Sequence, residues 1–158
     1  MSVRPIPTTA AEADALYDHG LSLRPLSAAV SATSSIREEE LVIQLPPTSW
    51  LRATLAFNGK IQDAEGVVVL CHGLCSWRNQ ILIESLARGL VSPRIATLRF
   101  DFRGNGSSSD DWGYDFSESR DIEDVEAVLS FIENELEKPV LALAGHSQGS
   151  KTILNWFR

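Results

Sequence analysis

Apolar residues along the chain follow a strand-like period in five places. Trp50 to Phe57 alternates apolar and polar positions, which is typical of a strand with one buried face. Val67 to Cys71 is apolar throughout, as expected of a strand buried on both faces of a parallel sheet. Leu41 to Leu45, Ile95 to Phe100 and Val140 to Ala144 are three further strand candidates.

Helical patterns separate the later strands. One helix is predicted from near Asn79 to Val91, and another from Ser150 to Phe157. Between them lies a longer helix with an acidic first turn, which the helix dipole favours. Its acidic residues are Glu118, Asp121, Glu123 and Asp124, and its apolar face consists of Ile122, Val125, Val128, Leu129, Ile132 and Leu136. Two strands and then three strand–helix pairs predict a mostly parallel α/β sheet with helices on both faces.

The chain divides into two regions of different composition. Residues 1–36 are rich in Ala, Ser, Thr and Pro and show little periodicity, so we predict a loosely ordered extension. Residues 37–158 contain all the predicted strands and form one α/β domain. In such a sheet, ligands bind beyond the carboxyl ends of the strands. The loops at that edge are 72–77, 101–109 and 145–149.

The third of these loops has a G-x-S-x-G pattern. Gly145, His146, Ser147, Gln148 and Gly149 come after a predicted strand and precede a predicted helix. This order is the context of a nucleophile elbow, in which the serine lies on a sharp turn with its hydroxyl exposed. Side chains at the two glycine positions would crowd the strand and the helix. Ser147 is therefore the candidate nucleophile.

Acyl transfer also needs two hydrogen-bond donors for the developing oxyanion. One is the backbone N–H of the residue after the nucleophile, here Gln148. The second comes from the loop after the third strand, which reads His72-Gly73-Leu74. We assign it to the Leu74 N–H, because Gly73 lets the backbone approach closely.

Composition excludes several other classes of function. The formal net charge of −7 argues against a nucleic-acid partner, and no apolar stretch approaches the ~20 residues needed to span a bilayer. A signal peptide is not evident, so we expect a soluble, cytoplasmic protein. In that compartment a disulfide is not expected, and we expect Cys71 and Cys75 to be two small, buried or half-buried thiols. No metal or cofactor is expected. The glycines in Gly104-Asn105-Gly106 lack the lysine and the spacing of a phosphate-binding loop.

Three ordered motifs resemble the α/β-hydrolase superfamily, most closely its serine esterase, lipase and S33 aminopeptidase-like branch. They are Cys71–Leu74, the segment from Leu98 to Ser108 with the sequence LRFDFRGNGSS, and Gly145–Gly149. The resemblance implies that Ser147 is the nucleophile and that Leu74 and Gln148 flank the oxyanion. It also implies supporting roles near the site for His72, Gly73, Asp101, Gly104, Gly106, Gly145, His146 and Gly149. Trp77 and Trp112 either line an acyl pocket or pack under the loops.

The sequence departs from the family in the segment after the serine. The family places an acid and then a histidine there, whereas His19, His72 and His146 all precede Ser147. We therefore interpret the chain as the N-terminal half of a hydrolase domain, truncated after the elbow helix. Two hypotheses remain. The first is a serine hydrolase of small-molecule carboxylic esters or amides, with its acid and histidine missing from this chain. The second is an inactive remnant or an α/β-hydrolase-like binding module.

Overall fold

In a computed structural model of the protein, residues 36–109 and 117–158 are described. The predicted N-terminal extension lies outside these ranges except for Ile36, and Trp112 also lies outside them. The strands are β1 (Ile36–Leu45), β2 (Ser49–Asn58), β3 (Gly66–Cys71), β4 (Ile95–Phe100) and β5 (Val140–Gly145). The helices are α1 (Ile81–Leu90), α2 (Glu118–Asn134) and α3 (Gln148–Trp156), and a 3₁₀ turn spans Ile61–Asp63.

The five strands form one mixed sheet in the order β1-β2-β4-β3-β5. Strands β4, β3 and β5 are mutually parallel, whereas β2 is antiparallel to both β1 and β4. The predicted α/β sheet is therefore confirmed. Because the three parallel strands end at the same edge, the loops that carry the candidate chemistry meet there.

Helices cover both faces of the sheet. Val69 and Leu70 are adjacent on β3 and point to opposite faces. Val69 belongs to the main core, where α2 and α3 contribute Val125, Val128, Ile132 and Ile153. Leu70 packs instead with Ile83 and Ala87 of α1. The strand that precedes the candidate oxyanion loop is thus fixed from both sides, and all six of its residues are buried.

Strand β1 begins five residues earlier than its apolar pattern predicts. The additional segment contains three consecutive glutamates, which we did not expect in a strand. Two of them have partners on the sheet. Glu38 pairs with Arg99 of β4, and Glu40 accepts hydrogen bonds from the Thr54 hydroxyl at 2.6 Å and from Arg78 at 2.7 Å. Polar cross-strand contacts therefore extend the pairing beyond the apolar residues.

Strand β5 lies at an edge of the sheet. It pairs with β3 on one side, and on the other side it pairs with no strand of the described ranges. Its sequence is entirely apolar, and Leu141 is 47% exposed. The opposite edge, β1, has charged residues that discourage pairing with other chains. No helix in the described part of the chain is long and apolar enough to cross a membrane.

The exposed β5 edge leads us to expect self-association of the 158-residue chain. Leu141→Lys should weaken this association by about tenfold or more, because a charge on a free edge disfavours strand pairing. Val42→Lys is the matched control, since Val42 is 42% exposed on the opposite edge strand. Sedimentation velocity over a concentration series measures the effect. A wild-type chain that stays monomeric at high concentration would contradict the expectation.

Candidate active site

Ser147 lies at the junction between β5 and α3 in a rare backbone conformation. Its φ is 52° and its ψ is −111°, whereas a residue with a Cβ atom seldom has a positive φ. The residue is exposed. Helix α3 begins directly after it, at Gln148 rather than at the predicted Ser150. The positive end of the helix dipole therefore lies beside the serine, where it favours developing negative charge.

The two glycines of the elbow are required by close backbone contacts. A Cβ atom added to Gly149 would lie 2.5 Å from the Cys71 carbonyl oxygen and 2.7 Å from that of His72. One added to Gly145 would lie 2.5 Å from the backbone nitrogen of Ser150. The start of α3 is thus packed directly against the end of β3, as the G-x-S-x-G pattern predicts.

The loop after β3 lies against the elbow. A Cβ atom added to Gly73 would lie 2.9 Å from the Nδ1 atom of His146 and 3.4 Å from the Cβ atom of Ser147. Within the described ranges, the backbone N–H groups of Leu74 and Gln148 have no hydrogen-bond acceptor. Among the described residues, these two N–H groups are thus left without an acceptor, one in the elbow and one in the loop whose Gly73 lies against Ser147.

His72 is 1% exposed, and both of its ring nitrogens are engaged. Its Nε2 atom accepts a hydrogen bond from the Phe102 N–H at 3.1 Å. The ring proton must therefore be on Nδ1, which donates to the Gly73 carbonyl oxygen at 2.7 Å. Burial lowers the pKa of His72 and keeps the ring neutral. His72 thus links the loop after β3 to the loop after β4, and neither nitrogen faces Ser147.

Asp101 is fully buried at the end of β4. Its carboxylate accepts hydrogen bonds from the Arg78 N–H at 2.6 Å and from the Ser107 N–H at 2.9 Å, and it forms an ion pair with the Arg78 guanidinium. A Cβ atom on Gly106, whose φ is 54°, would collide with this carboxylate. Gly104, at φ 75°, donates its N–H to the Ser109 carbonyl oxygen at 2.8 Å.

Two residues that sequence reasoning missed support the site. Arg78, in the same loop as Leu74, connects Asp101 with Thr54 and Glu40. Only its position in the candidate oxyanion loop, four residues after Leu74, could have indicated from the sequence that Arg78 lies near the site. Asp121 was assigned to the helix dipole, but its side chain accepts a hydrogen bond from the Gln148 side-chain amide at 3.2 Å.

The remaining candidates are His146, Trp77 and the two cysteines. His146 is exposed, and its N–H donates to the Cys71 carbonyl oxygen at 3.0 Å. Trp77 is 37% exposed. Cys71 is buried, and burial raises its pKa to about 12. Cys75 is exposed, which differs from the buried or half-buried thiol expected, and its backbone φ is 52°.

Comparison with known proteins agrees with this geometry. A family model described as the alpha/beta hydrolase family matches residues 68–156, which is more than half of the chain. The chain belongs to the alpha/beta hydrolase family. The matched region begins in β3 and includes the candidate oxyanion loop, the loop after β4 and the elbow.

Individual relatives of this alpha/beta hydrolase chain are distant. An uncharacterized 31.7 kDa Escherichia coli protein from the traX-finO intergenic region is 31% identical over 91 residues, which cover 56% of this chain and 31% of that protein. The Pyrococcus furiosus esterase Pf2001 has a TM-score of 0.65 at 21% identity, covering 77% of this chain and 46% of the esterase. An alpha-beta serine hydrolase homologue from Coxiella burnetii has a TM-score of 0.61 at 26% identity, covering 72% and 54%.

The alpha/beta hydrolase chain is thus much shorter than these proteins. It spans about a third of the curated relative and about half of each of the two solved structures.

Proposed function

We propose that this chain supplies the nucleophile and the oxyanion hole of a serine hydrolase. The substrate is a small-molecule carboxylic ester or amide, and the reaction passes through an acyl-serine. One observation carries the proposal: an exposed serine at a strained elbow lies against the loop after β3, and the elbow and this loop each have a backbone N–H with no acceptor among the described residues. Membership of the alpha/beta hydrolase family supports the same chemistry.

The proposed reaction has two steps. A general base removes the Ser147 hydroxyl proton while Oγ attacks the substrate carbonyl carbon. The carbonyl oxygen becomes an oxyanion, which the N–H groups of Leu74 and Gln148 stabilise. Collapse of this intermediate expels the alcohol or amine, which takes the proton from the base. Water then attacks the acyl-serine with help from the same base, releasing the acid and restoring Ser147.

We place the base and its acid partner in a part of the whole protein outside these 158 residues. Both nitrogens of His72 are engaged in buried hydrogen bonds. The Nδ1 atom of the exposed His146 lies against the Gly73 position, and its imidazole has no hydrogen-bond partner among the described residues. A serine without a base retains the residual reactivity that the oxyanion hole provides, which is about 10³ to 10⁴ over water in a serine protease.

Ser147 should react slowly with a fluorophosphonate probe in the 158-residue chain, and imidazole in the buffer should accelerate the reaction. Imidazole supplies the proton acceptor that we infer to be missing. Intact mass measurement and then peptide mapping give the rate and the modified serine. Ser147→Ala should remove the adduct completely, whereas Ser150→Ala should retain it.

Two outcomes would contradict the proposal. If the chain reacts as fast without imidazole as with it, then a base lies within the chain. If Ser147 gains no adduct even with imidazole, the chain is the inactive remnant or binding module of the second hypothesis.

A further inference from the structure

Asp121 is a partly buried carboxylate that the proposed reaction does not use. It lies in the first turn of α2, and its Oδ2 atom reaches across to α3. There it accepts hydrogen bonds from the Gln148 side-chain amide at 3.2 Å and from the Thr152 hydroxyl at 3.4 Å. These two residues are four apart and lie on the same face of α3. One carboxylate oxygen therefore bridges the first two turns of the elbow helix.

The bond between Asp121 and the Gln148 side chain bears on the oxyanion hole, because the backbone N–H of Gln148 is one of its two proposed donors. The direction of that N–H depends on how the first turn of α3 is held, and the backbone before it is strained at Ser147. Thr152 is fully buried, and its hydroxyl also lies 3.1 Å from the Gln148 carbonyl oxygen. The single Thr152 hydroxyl proton is thus shared between Asp121 Oδ2 and the Gln148 carbonyl oxygen, whereas the Gln148 side chain is bonded to Asp121 directly.

We propose that Asp121 is a positioning residue that holds Gln148 so that its N–H points at the oxyanion. This inference rests on the proposed function, since it assigns Asp121 to the same oxyanion hole. The charge of Asp121 acts in two opposite ways. It stabilises the N-terminus of α3, but it also disfavours a second negative charge nearby.

The groups around Asp121 shift its pKa, and its ionisation can be followed through the neighbouring Gln148. Burial raises its pKa above the ordinary value, whereas the bonds from Gln148 and Thr152 and the charge of Arg120 lower it. Cys71 on β3 and Asp124 on α2 also interact with it electrostatically. When Asp121 takes up a proton, it becomes a weaker acceptor for the Gln148 amide. The Gln148 resonances should therefore track its titration.

Glu118 provides a matched control. It lies three residues earlier, at the first position of the same helix, and it also contacts α3, but at Lys151 and Asn155. Its carboxylate accepts a hydrogen bond from Asn155 at 2.5 Å and pairs with Lys151 at 3.1 Å. Substitution of Glu118 therefore weakens the α2–α3 contact without touching Gln148.

The first measurement is an NMR titration of the ¹⁵N-labelled 158-residue chain. In the wild type, the backbone and side-chain amides of Gln148 should titrate with a midpoint above the ordinary aspartate value of about 3.9. Asp121→Asn, which keeps an oxygen acceptor of the same shape, should abolish that titration. Glu118→Gln should leave it unchanged. Persistence of the titration in Asp121→Asn would overturn the proposal.

The second measurement is the slow reaction of Ser147 with the fluorophosphonate probe. Without a base, this rate reports mainly on the oxyanion hole. Asp121→Ala should lower it by about tenfold, less than the hundredfold or more expected for loss of a whole donor. Asp121→Asn should recover most of the rate. Equal rates in Asp121→Ala and Glu118→Ala would overturn the positioning role. Absence of any adduct in all variants, with the Gln148 titration as expected, would instead reject the proposed function alone.

Discussion

Ser147→Ala should abolish ester hydrolysis in a fusion of this chain with the C-terminal half of a compatible relative. The substitution removes the attacking atom, and loss of a catalytic serine costs about 10⁴-fold or more in turnover. The assay measures release of p-nitrophenolate from a short-chain p-nitrophenyl ester. Circular dichroism of the variant checks that the fold is retained, because the alanine at a positive φ replaces an equally unfavourable serine.

His72→Ala should reduce the activity of the same fusion by much less, about tenfold. The imidazole shapes the loop that presents the Leu74 N–H through its bonds to Gly73 and Phe102, but it does not contact the reacting atoms. Asp101→Asn should act mainly on stability, since it removes one of the two ion pairs of the buried Arg78 guanidinium, at a cost of about 1 to 3 kcal/mol.

The order of these effects separates the three roles. If His72→Ala were as inactive as Ser147→Ala while the fold stayed intact, His72 would have a direct chemical role. The base would then lie within this chain, and the assignment of the base to another part of the protein would be wrong.

Sequence patterns predicted well those elements whose own residues carry the signal. Strand β4 has the predicted bounds, and β3 and β5 differ by one residue at one end, because each of these parallel strands is marked by its own run of apolar residues. The elbow was predictable because Gly145 and Gly149 are required by contacts within a short, stereotyped turn.

The features that the sequence did not reveal depend on partners distant along the chain. Glu40 lies in a strand because its carboxylate meets Thr54 and Arg78, the latter 38 residues away. Asp121 belongs to an acidic first turn whose composition is explained by the helix dipole alone. Its contact with Gln148, 27 residues later, appears only once α2 and α3 pack together. Polar side chains of this kind have no periodic signal, so only the fold identifies their partners.

The close packing around Gly149 predicts a second large effect, a loss of folding stability when this glycine is replaced. Gly149→Ala should destabilise the chain by about 3 kcal/mol, because the added methyl group would meet the backbone oxygens of Cys71 and His72. Neither oxygen can move without disturbing the end of β3, since the Cys71 carbonyl also accepts the His146 N–H. Urea unfolding monitored by fluorescence measures the change.

Gly89→Ala is the matched control for this substitution. Gly89 lies in α1, is exposed, and an added Cβ atom would have no heavy atom within 4 Å. Alanine there should stabilise the chain by about 0.5 to 1 kcal/mol, because glycine is the poorer helix former. The same chemical change thus has opposite signs at the two positions. If Gly149→Ala unfolded at the same urea concentration as the wild type, helix α3 would not be packed against the end of β3. The loop after β3 and Ser147 would then no longer be held together, and the proposed catalytic arrangement would lose its structural basis.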